Sequence, residues 1–207
     1  DWSATAIAAN PGAIPDPAGY FAGGYATGYA IYGTVDKFVF ADDSRTTLGT
    51  GLSPVRTYTT GMANSGTAGY VAGGYNTVWA MLDSVEKLSF TDDTLSTLSA
   101  VLSGTRHGLG AMANSGTAGY ICGGSGGANL TTVDKLAFAD DSMTTLGTGL
   151  SAARNYVAGM ANSGTAGYLG GGRASGTVTT VDKFAFSNDS RSTLGTGLAA
   201  ATYWMAA

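Results

Sequence analysis

Few residues of this 207-residue chain could carry chemistry, since it has one histidine, His107, and one cysteine, Cys122. A catalytic metal site needs several His, Cys or carboxylate ligands, and a nucleophile triad needs a base held by a third group. One His and one Cys supply neither set. We therefore predict no catalytic residues, no metal and no cofactor. Cys122 lies between Ile121 and Gly123, which indicates a small buried side chain.

Acidic pairs recur at residues 42–43, 92–93 and 140–141, and an Asn-Asp pair stands at 188–189. Calcium needs several converging oxygens, and two adjacent carboxylates offer too few. Asp and Asn at the start of a turn accept hydrogen bonds from the backbone two residues further on. We therefore interpret the pairs as turns rather than as calcium sites.

A second charged set also recurs in step along the chain. It consists of an arginine and, further on, the lysine of a Val-Asp-Lys or Val-Glu-Lys motif. Such recurrence favours a structural role, as ion pairs or carbonyl contacts between neighbouring repeats, over ligand binding. The predicted structural repeat residues are the arginines Arg56, Arg106 and Arg154 and the acids of the same motif, Asp36, Glu86, Asp134 and Asp182.

A group of aromatic side chains breaks the repetition. They lie in residues 25–34 and 75–84, whereas the corresponding segments, 125–132 and 173–180, are shorter and polar. Exposed aromatic rings beside small polar residues suit stacking on a sugar or anchoring a protein partner. The alternative interpretation is that the rings cover the edge of their own subunit. The candidate ligand- or partner-binding residues are Tyr25, Tyr29, Tyr32, Tyr75 and Trp79.

The elements that position these residues come from an internal repeat. The sequence Met-Ala-Asn-Ser-Gly-Thr-Ala-Gly-Tyr occurs at residues 62–70, 112–120 and 160–168, and its last three residues recur at 18–20. The final tyrosines are 50, 50 and 48 residues apart. A fixed period of this size is typical of a solenoid, propeller or array. Asn-Ser-Gly between two apolar runs predicts a tight β-hairpin.

Each period predicts four antiparallel strands. The hairpin supplies the first two, and a Gly pair such as Gly73-Gly74 ends the second. The third strand is the Val-Asp-Lys motif, in which Phe38 and Phe40 share one face with Asp36. The fourth spans residues 46–52. We predict an all-β, four-bladed β-propeller whose ring closure removes exposed strand edges. The alternative is that two chains pair into one larger ring.

The chain ends are expected to differ from the rest. Three prolines stand between residues 10 and 18, where later repeats carry the hairpin. Residues 1–17 are therefore predicted to be an arm or an irregular strand, and residues 18–207 the propeller. Its repeats lie at about 18–64, 65–114, 115–162 and 163–207, with a period of 48–50 residues.

Two segments compete to complete the first blade. Residues 201–207 look like a first strand without its hairpin partner, and they include the apolar Tyr203, Trp204 and Met205. We expect this strand to pair with residues 18–24 and fill the core, which leaves residues 1–17 as a displaced arm. Because the chain begins with Asp1, we expect a processed, excised or incompletely recorded chain.

Composition argues against two classes of partner. Charged residues make up 12% of the chain, against about 25% in an average protein. The net charge is −4 and no Lys/Arg cluster exists, so we expect no nucleic-acid partner. No run of about 18 apolar residues exists, so we expect no membrane insertion.

The repeats resemble those of the kelch family, whose units carry a Gly-Gly at the end of the second strand and an Arg before the first. Gly73-Gly74 and Arg56 occupy those places. In the fourth strand, where kelch units usually have Trp, this chain has Leu48, Leu98, Leu146 and Leu194. The near-identical repeats are also similar to those of bacteriophage and cyanophage structural proteins, especially fibre-like ones. This resemblance implies a virion or extracellular surface location.

Three functions follow as hypotheses. The first is a non-enzymatic interaction module that binds a partner protein or a host-surface glycan through its loops. The second is a structural building block that contacts copies of itself or other virion or surface proteins. The third, disfavoured, is an enzyme of the sialidase or oxidase kind. A kelch-like copper oxidase needs a set of Tyr, His and Cys ligands that this chain cannot supply. An enzyme of this third kind would need an acidic, tyrosine and arginine cluster at one end of the channel, and three arginines recur in register.

Overall fold

The computed structural model describes residues 17–28 and 30–205 in full and the backbone of residues 5–8. The chain divides into two compact units, Asp1–Thr105 and Arg106–Ala207. Each unit contains two four-stranded antiparallel sheets, and the described residues form strands and turns but no helix. The prediction of an all-β propeller fold with four blades is thereby confirmed. Closure of the blades into a ring stays a prediction.

Strand order within every sheet follows the chain, so each period forms one blade. In the first unit, blade 1 contains β1 (Thr5–Ala8), β2 (Ala18–Ala22), β3 (Val35–Val39) and β4 (Arg45–Thr47), and blade 2 contains β5 (Thr60–Asn64), β6 (Ala68–Ala72), β7 (Val85–Ser89) and β8 (Leu95–Thr97). In the second unit, blade 3 contains β9 (Gly110–Asn114), β10 (Ala118–Cys122), β11 (Val133–Ala137) and β12 (Met143–Thr145), and blade 4 contains β13 (Ala158–Asn162), β14 (Ala166–Gly170), β15 (Val181–Ala185) and β16 (Ser190–Thr193).

The repeated Asn-Ser-Gly forms the predicted hairpin. In blade 2, Asn64 pairs with Ala68, and the Thr67 amide donates to the Asn64 carbonyl at 2.9 Å. Gly66 takes the positive φ, 75°, that this turn requires. The turns of blades 3 and 4 place Gly116 and Gly164 at φ of 80° and 81°. The hairpin is therefore fixed by local sequence.

The Gly pairs allow one chain segment to approach another closely, as predicted. Gly74 has φ of 95°, and a Cβ at this position would collide with the Thr57 carbonyl oxygen and the Thr59 side chain. In blade 1, the Gly24 amide donates to the Arg56 carbonyl at 3.2 Å. The loop after the second strand therefore lies against the connection that leads into the next blade.

The two blades of each unit are joined by a Tyr-Lys-Asp contact, here called the interblade clamp. In the first unit, the Tyr20 hydroxyl and the Lys37 ammonium of blade 1 each donate to Asp93 of blade 2 at 2.7 Å. The Tyr20 ring stacks on Phe90, with centroids 5.2 Å apart. In the second unit, Tyr120 and Lys135 bind Asp189 at the same distances, and Tyr120 stacks on Phe186.

The clamp also fixes the protonation of its tyrosine. Burial, the hydrogen bond to Asp93 and the negative charge of that carboxylate raise the pKa of Tyr20 well above its ordinary value. Tyr120 is raised for the same reasons, with Asp189 as partner. Both hydroxyls therefore remain protonated donors.

The predicted pairing of the chain ends is wrong. β1 pairs with β2, with Thr5 opposite Ala22, so residues 5–8 supply a strand of blade 1 and are not part of a displaced arm. β3 pairs with the other edge of β2, which leaves no place there for residues 201–207.

Residues 201–205 take instead the position that the connections between blades hold in the other repeats. Residues 201–205 contain no strand, and the Thr202 carbonyl accepts from the Gly172 amide at 2.8 Å, as the Arg56 carbonyl does from Gly24. Tyr203 and Trp204 are 41% and 60% exposed, so they do not fill the core as predicted.

The fourth strand is shorter than predicted. In blade 1 it covers Arg45–Thr47 rather than residues 46–52. The Leu48 amide still donates to the Val35 carbonyl at 2.8 Å, but the chain then turns away toward the next blade. Leu52 belongs to the connection after the strand, and its side chain is buried in the core of the first unit.

Candidate binding site: the aromatic cluster of the first unit

Four rings of the first unit pack together and form what we call the aromatic cluster: Tyr25, Tyr58, Tyr75 and Trp79. Tyr25 and Tyr58 stack with centroids 5.6 Å apart, and their hydroxyls are hydrogen-bonded at 3.1 Å. Tyr58 meets Tyr75 edge-on at 6.1 Å, and Tyr75 meets Trp79 at 5.7 Å. Loops of both blades therefore contribute to one continuous aromatic surface.

Backbone geometry holds the rings of this cluster in place. Tyr58 and Trp79 have φ of 55° and 58°, a conformation that bulky residues rarely adopt. The Trp79 amide donates to the Asn76 carbonyl at 3.0 Å, and the Asn76 side chain accepts from the Val78 and Ala80 amides. Because strained backbone persists only where surrounding contacts hold it, the indole is fixed before any ligand arrives.

The cluster has a buried side and an exposed side. Tyr25, Tyr58 and Tyr75 are partly buried, whereas the Trp79 side chain is 45% exposed. Tyr32 is 49% exposed and makes no ring contact with another described residue. Tyr29 lies outside the described residues. The structure thus brings together three of the five predicted residues, Tyr25, Tyr75 and Trp79.

Tyr58 is the cluster member that the sequence interpretation missed. It lies two residues after Arg56, and the corresponding positions hold Gly108, Tyr156 and Trp204. All four have positive φ. The available signal was a Gly in one repeat where the other three have an aromatic residue. Because Gly adopts positive φ most readily, such a position indicates a turn that projects the aromatic side chains.

The second unit has a related group around Tyr156. Trp204 meets Tyr156 at a centroid distance of 5.1 Å, and Tyr203 lies 5.2 Å from Trp204. His107 lies 5.8 Å from Tyr156, and burial lowers the pKa of His107. The position after the Gly pair, Tyr25 and Tyr75 in the first unit, is Ser125 or Arg173 here. Aromatic residues at the position after the Gly pair are thus confined to the first unit.

The chemistry of the cluster suits an uncharged ligand with apolar C–H faces. An exposed indole backed by other rings offers a flat surface for stacking. Residues 25–34 contain no charged side chain, and Asp83 is the single one in residues 75–84. Tyrosine hydroxyls supply donors and acceptors for a ligand's hydroxyl groups.

The recurring arginines form buried ion pairs with the acids of the third strands. Arg56 binds Glu86 at 2.9 Å, Arg106 binds Asp134 at 2.7 Å and Arg154 binds Asp182 at 2.9 Å. None of these six side chains is more than 2% exposed. Asp36, the remaining member, pairs instead with the exposed Arg45 at 3.2 Å and accepts from Thr47.

Burial and ion pairing act against each other in these pairs. Burial lowers the pKa of each arginine, while the facing carboxylate raises it. Burial also raises the pKa of Glu86, more than Arg56 lowers it. For Asp182, burial is outweighed by hydrogen bonds from Ser151 and Thr193 and by the charge of Arg154, so its pKa falls. The arginines are engaged within the fold and are not presented to a substrate carboxylate.

The acidic turns behave as local structure. The Asp42 carboxylate accepts from the Ser44 amide at 3.0 Å, and Asp140 accepts from Ser142 at the same distance. Hydrogen bonds from the serine side chains, together with these amide bonds, lower the pKa of both carboxyls. No group of three or more His, Cys, Asp or Glu that could hold a metal occurs among the described residues. Cys122 is fully buried, and burial raises the pKa of its thiol.

Comparison with known proteins identifies a shared fold. No protein-family model matches the chain, and no curated protein matches its sequence. Among solved structures, that of YjhT is similar with a TM-score of 0.76, covering 99% of this chain and 73% of that chain. The sequences are 12% identical, so the similarity concerns the fold alone. Within the described part of the chain, no helix has the length and apolar character of a membrane span.

Proposed function

We propose that the protein is a non-enzymatic binding module of a virion or another extracellular surface, and that its aromatic cluster binds a host-surface glycan. The observation that carries the proposal is the exposed Trp79 indole, held in a strained backbone conformation against Tyr58 and Tyr75. Strained backbone conformations that persist are concentrated at ligand-binding and other functional sites.

The repeat supports the choice of a binding module. The Gly pairs and the recurring arginines are features of kelch-like repeats, which we propose as the family of these blades. They build a scaffold, while the loops that differ between blades carry the rings. Binding residues are commonly placed on loops held by a rigid framework.

An enzymatic function receives less support. A sialidase-like site would need arginines free to bind a substrate carboxylate, yet Arg56, Arg106 and Arg154 are buried and paired. The neutral loops of the aromatic cluster offer a surface for stacking rather than groups for proton transfer. We therefore propose that the protein binds and releases its ligand without chemically changing it.

Trp79→Ala is expected to weaken glycan binding about tenfold, since one aromatic contact contributes roughly 0.5–1.5 kcal/mol beyond the area it buries. A glycan array first identifies a neutral oligosaccharide, and calorimetric titration then compares wild type, Trp79→Ala and Tyr32→Ala. The matched control is Val78→Ala, at a neighbouring side chain that is 77% exposed. Its affinity should match that of wild type.

Two outcomes would overturn this proposal. An array without saturable binding would exclude the glycan and leave a protein partner as the ligand. A large fall in the melting temperature of Trp79→Ala, with unchanged affinity, would show that the indole serves the stability of its own unit.

A further inference from the structure

Blade 1 has an exposed apolar face, whereas the equivalent face of blades 2 and 4 is buried. In blades 2 and 4, Phe90 and Phe186 are 3% and 8% exposed because each lies under the tyrosine of the preceding blade. The corresponding Phe40 of blade 1 is 57% exposed. Phe21, on the same face, is 47% exposed and meets Phe38 edge-on at 5.5 Å. This face has the composition of an interblade interface without a partner blade.

The interblade clamp also leaves one acceptor unused in blade 1. Asp43 stands where Asp93 and Asp189 stand in blades 2 and 4, with nearly the same φ, 56° against 57° and 56°. Asp93 and Asp189 each bind a tyrosine hydroxyl and a lysine ammonium. Asp43 is exposed and has no partner among the described residues.

Blade 4 carries the complementary donors. Lys183 lies over the Tyr168 ring at 6.0 Å, as Lys37 lies over Tyr20 at 5.8 Å and Lys135 over Tyr120 at 5.3 Å. Neither the Tyr168 hydroxyl nor the Lys183 ammonium has a hydrogen-bond acceptor among the described residues. The chain thus presents both halves of a clamp, one on each of two blades.

We infer that the exposed face of blade 1 binds blade 4 of a second copy of this chain, in place of the predicted closure of the four blades of one chain into a ring. The Tyr168 hydroxyl and Lys183 ammonium of one copy bind Asp43 of the other, and the Tyr168 ring stacks on Phe40. Charge and shape both match, since the same side-chain types already form this contact inside each unit. The inference does not rest on glycan binding by the aromatic cluster.

The contact is head-to-tail because the two halves are different surfaces. Each copy that binds through blade 1 still offers its blade 4, so association continues into a ring of several copies or a filament. A virion or surface protein built this way would present its aromatic clusters in multiple copies, which raises avidity for a repeated ligand.

The first test is the mass of the full chain in solution across a range of protein concentrations, measured by analytical ultracentrifugation. Wild type should form oligomers larger than a dimer. Phe40→Asp, which charges the apolar face, and Lys183→Glu, which opposes Asp43, should each weaken association about tenfold or more. The matched controls are Val78→Asp and Arg173→Glu, at exposed positions outside the proposed contact.

Mixing the two variants tests the direction of the contact. Phe40→Asp retains an intact blade 4 face, and Lys183→Glu retains an intact blade 1 face. An equimolar mixture should therefore form dimers and nothing larger, at a protein concentration where each variant alone stays monomeric. Circular dichroism of each variant checks that the blades are folded, and the rescue by mixing would itself require folded partners.

Cysteine crosslinking identifies the partner chain. Asp43→Cys and Lys183→Cys, placed on different copies and oxidised together, should give a disulfide-linked dimer. A wild type that stays monomeric at every concentration would overturn the inference. So would a chain carrying both cysteines that crosslinks only within itself, or variants that assemble like wild type.

Discussion

Arg106→Met should lower the free energy of unfolding by about 3–5 kcal/mol, because it leaves a buried carboxylate without its cation. The Arg106 and Asp134 side chains are 1% and 0% exposed, and their charged atoms are 2.7 Å apart. The arginine also donates to the Ile121 carbonyl at 3.4 Å, so it ties the connection to two strands of blade 3. Urea unfolding followed by circular dichroism measures the loss.

An exposed pair in the same protein supplies the control. Arg45 binds Asp36 at 3.2 Å, but the arginine side chain is 57% exposed. Arg45→Met should therefore cost less than about 1 kcal/mol. The double variant Arg106→Met/Asp134→Leu should recover part of the loss, since it removes the stranded charge. Equal effects of Arg106→Met and Arg45→Met would contradict a structural role for the buried pair.

Asp93→Asn is expected to destabilise the first unit by about 1.5–3 kcal/mol, the usual worth of hydrogen bonds to a charged group. The Asn side chain can still accept from the Tyr20 hydroxyl through its carbonyl oxygen. Its NH₂ group, however, replaces the carboxylate oxygen that lies 2.7 Å from the Lys37 ammonium, so two donors face each other. Asn tolerates the positive φ of this position, so backbone strain does not enter the comparison. Thermal and urea unfolding give the measurement.

Asp43→Asn is the matched control because it changes the same repeat position without a clamp. The Asp43 carboxylate has no partner among the described residues, so the free energy of unfolding should change by no more than about 0.5 kcal/mol. The protein must be dilute for this comparison, since Asp43 belongs to the proposed contact between copies. A loss as large as that of Asp93→Asn would show that the stability effect belongs to the turn and not to the clamp.

The sequence alone was sufficient for the blades and their turns. The hairpin at residues 62–70, the Gly pair at Gly73-Gly74 and the turn at Asp42 depend on neighbouring residues, whose φ preferences and hydrogen bonds act over a few positions. Side chains of any strand point alternately to its two faces, which places Leu88 and Phe90 on the same buried face as Glu86. A repeat displays such local rules several times, which makes them easy to recognise.

Other features were decided only by the tertiary structure, because they join residues far apart in the chain. Tyr58 stacks on Tyr25 across 33 positions, and no spacing rule predicted that contact. β1 completes blade 1 because its backbone donors and acceptors pair with β2, a result that the prolines after it concealed. The tertiary structure also determined which copies of a repeated surface are covered. Phe90 lies beneath Tyr20, while Phe40, at the equivalent repeat position, faces solvent. The difference arises because the burial of this position depends on the neighbouring blade.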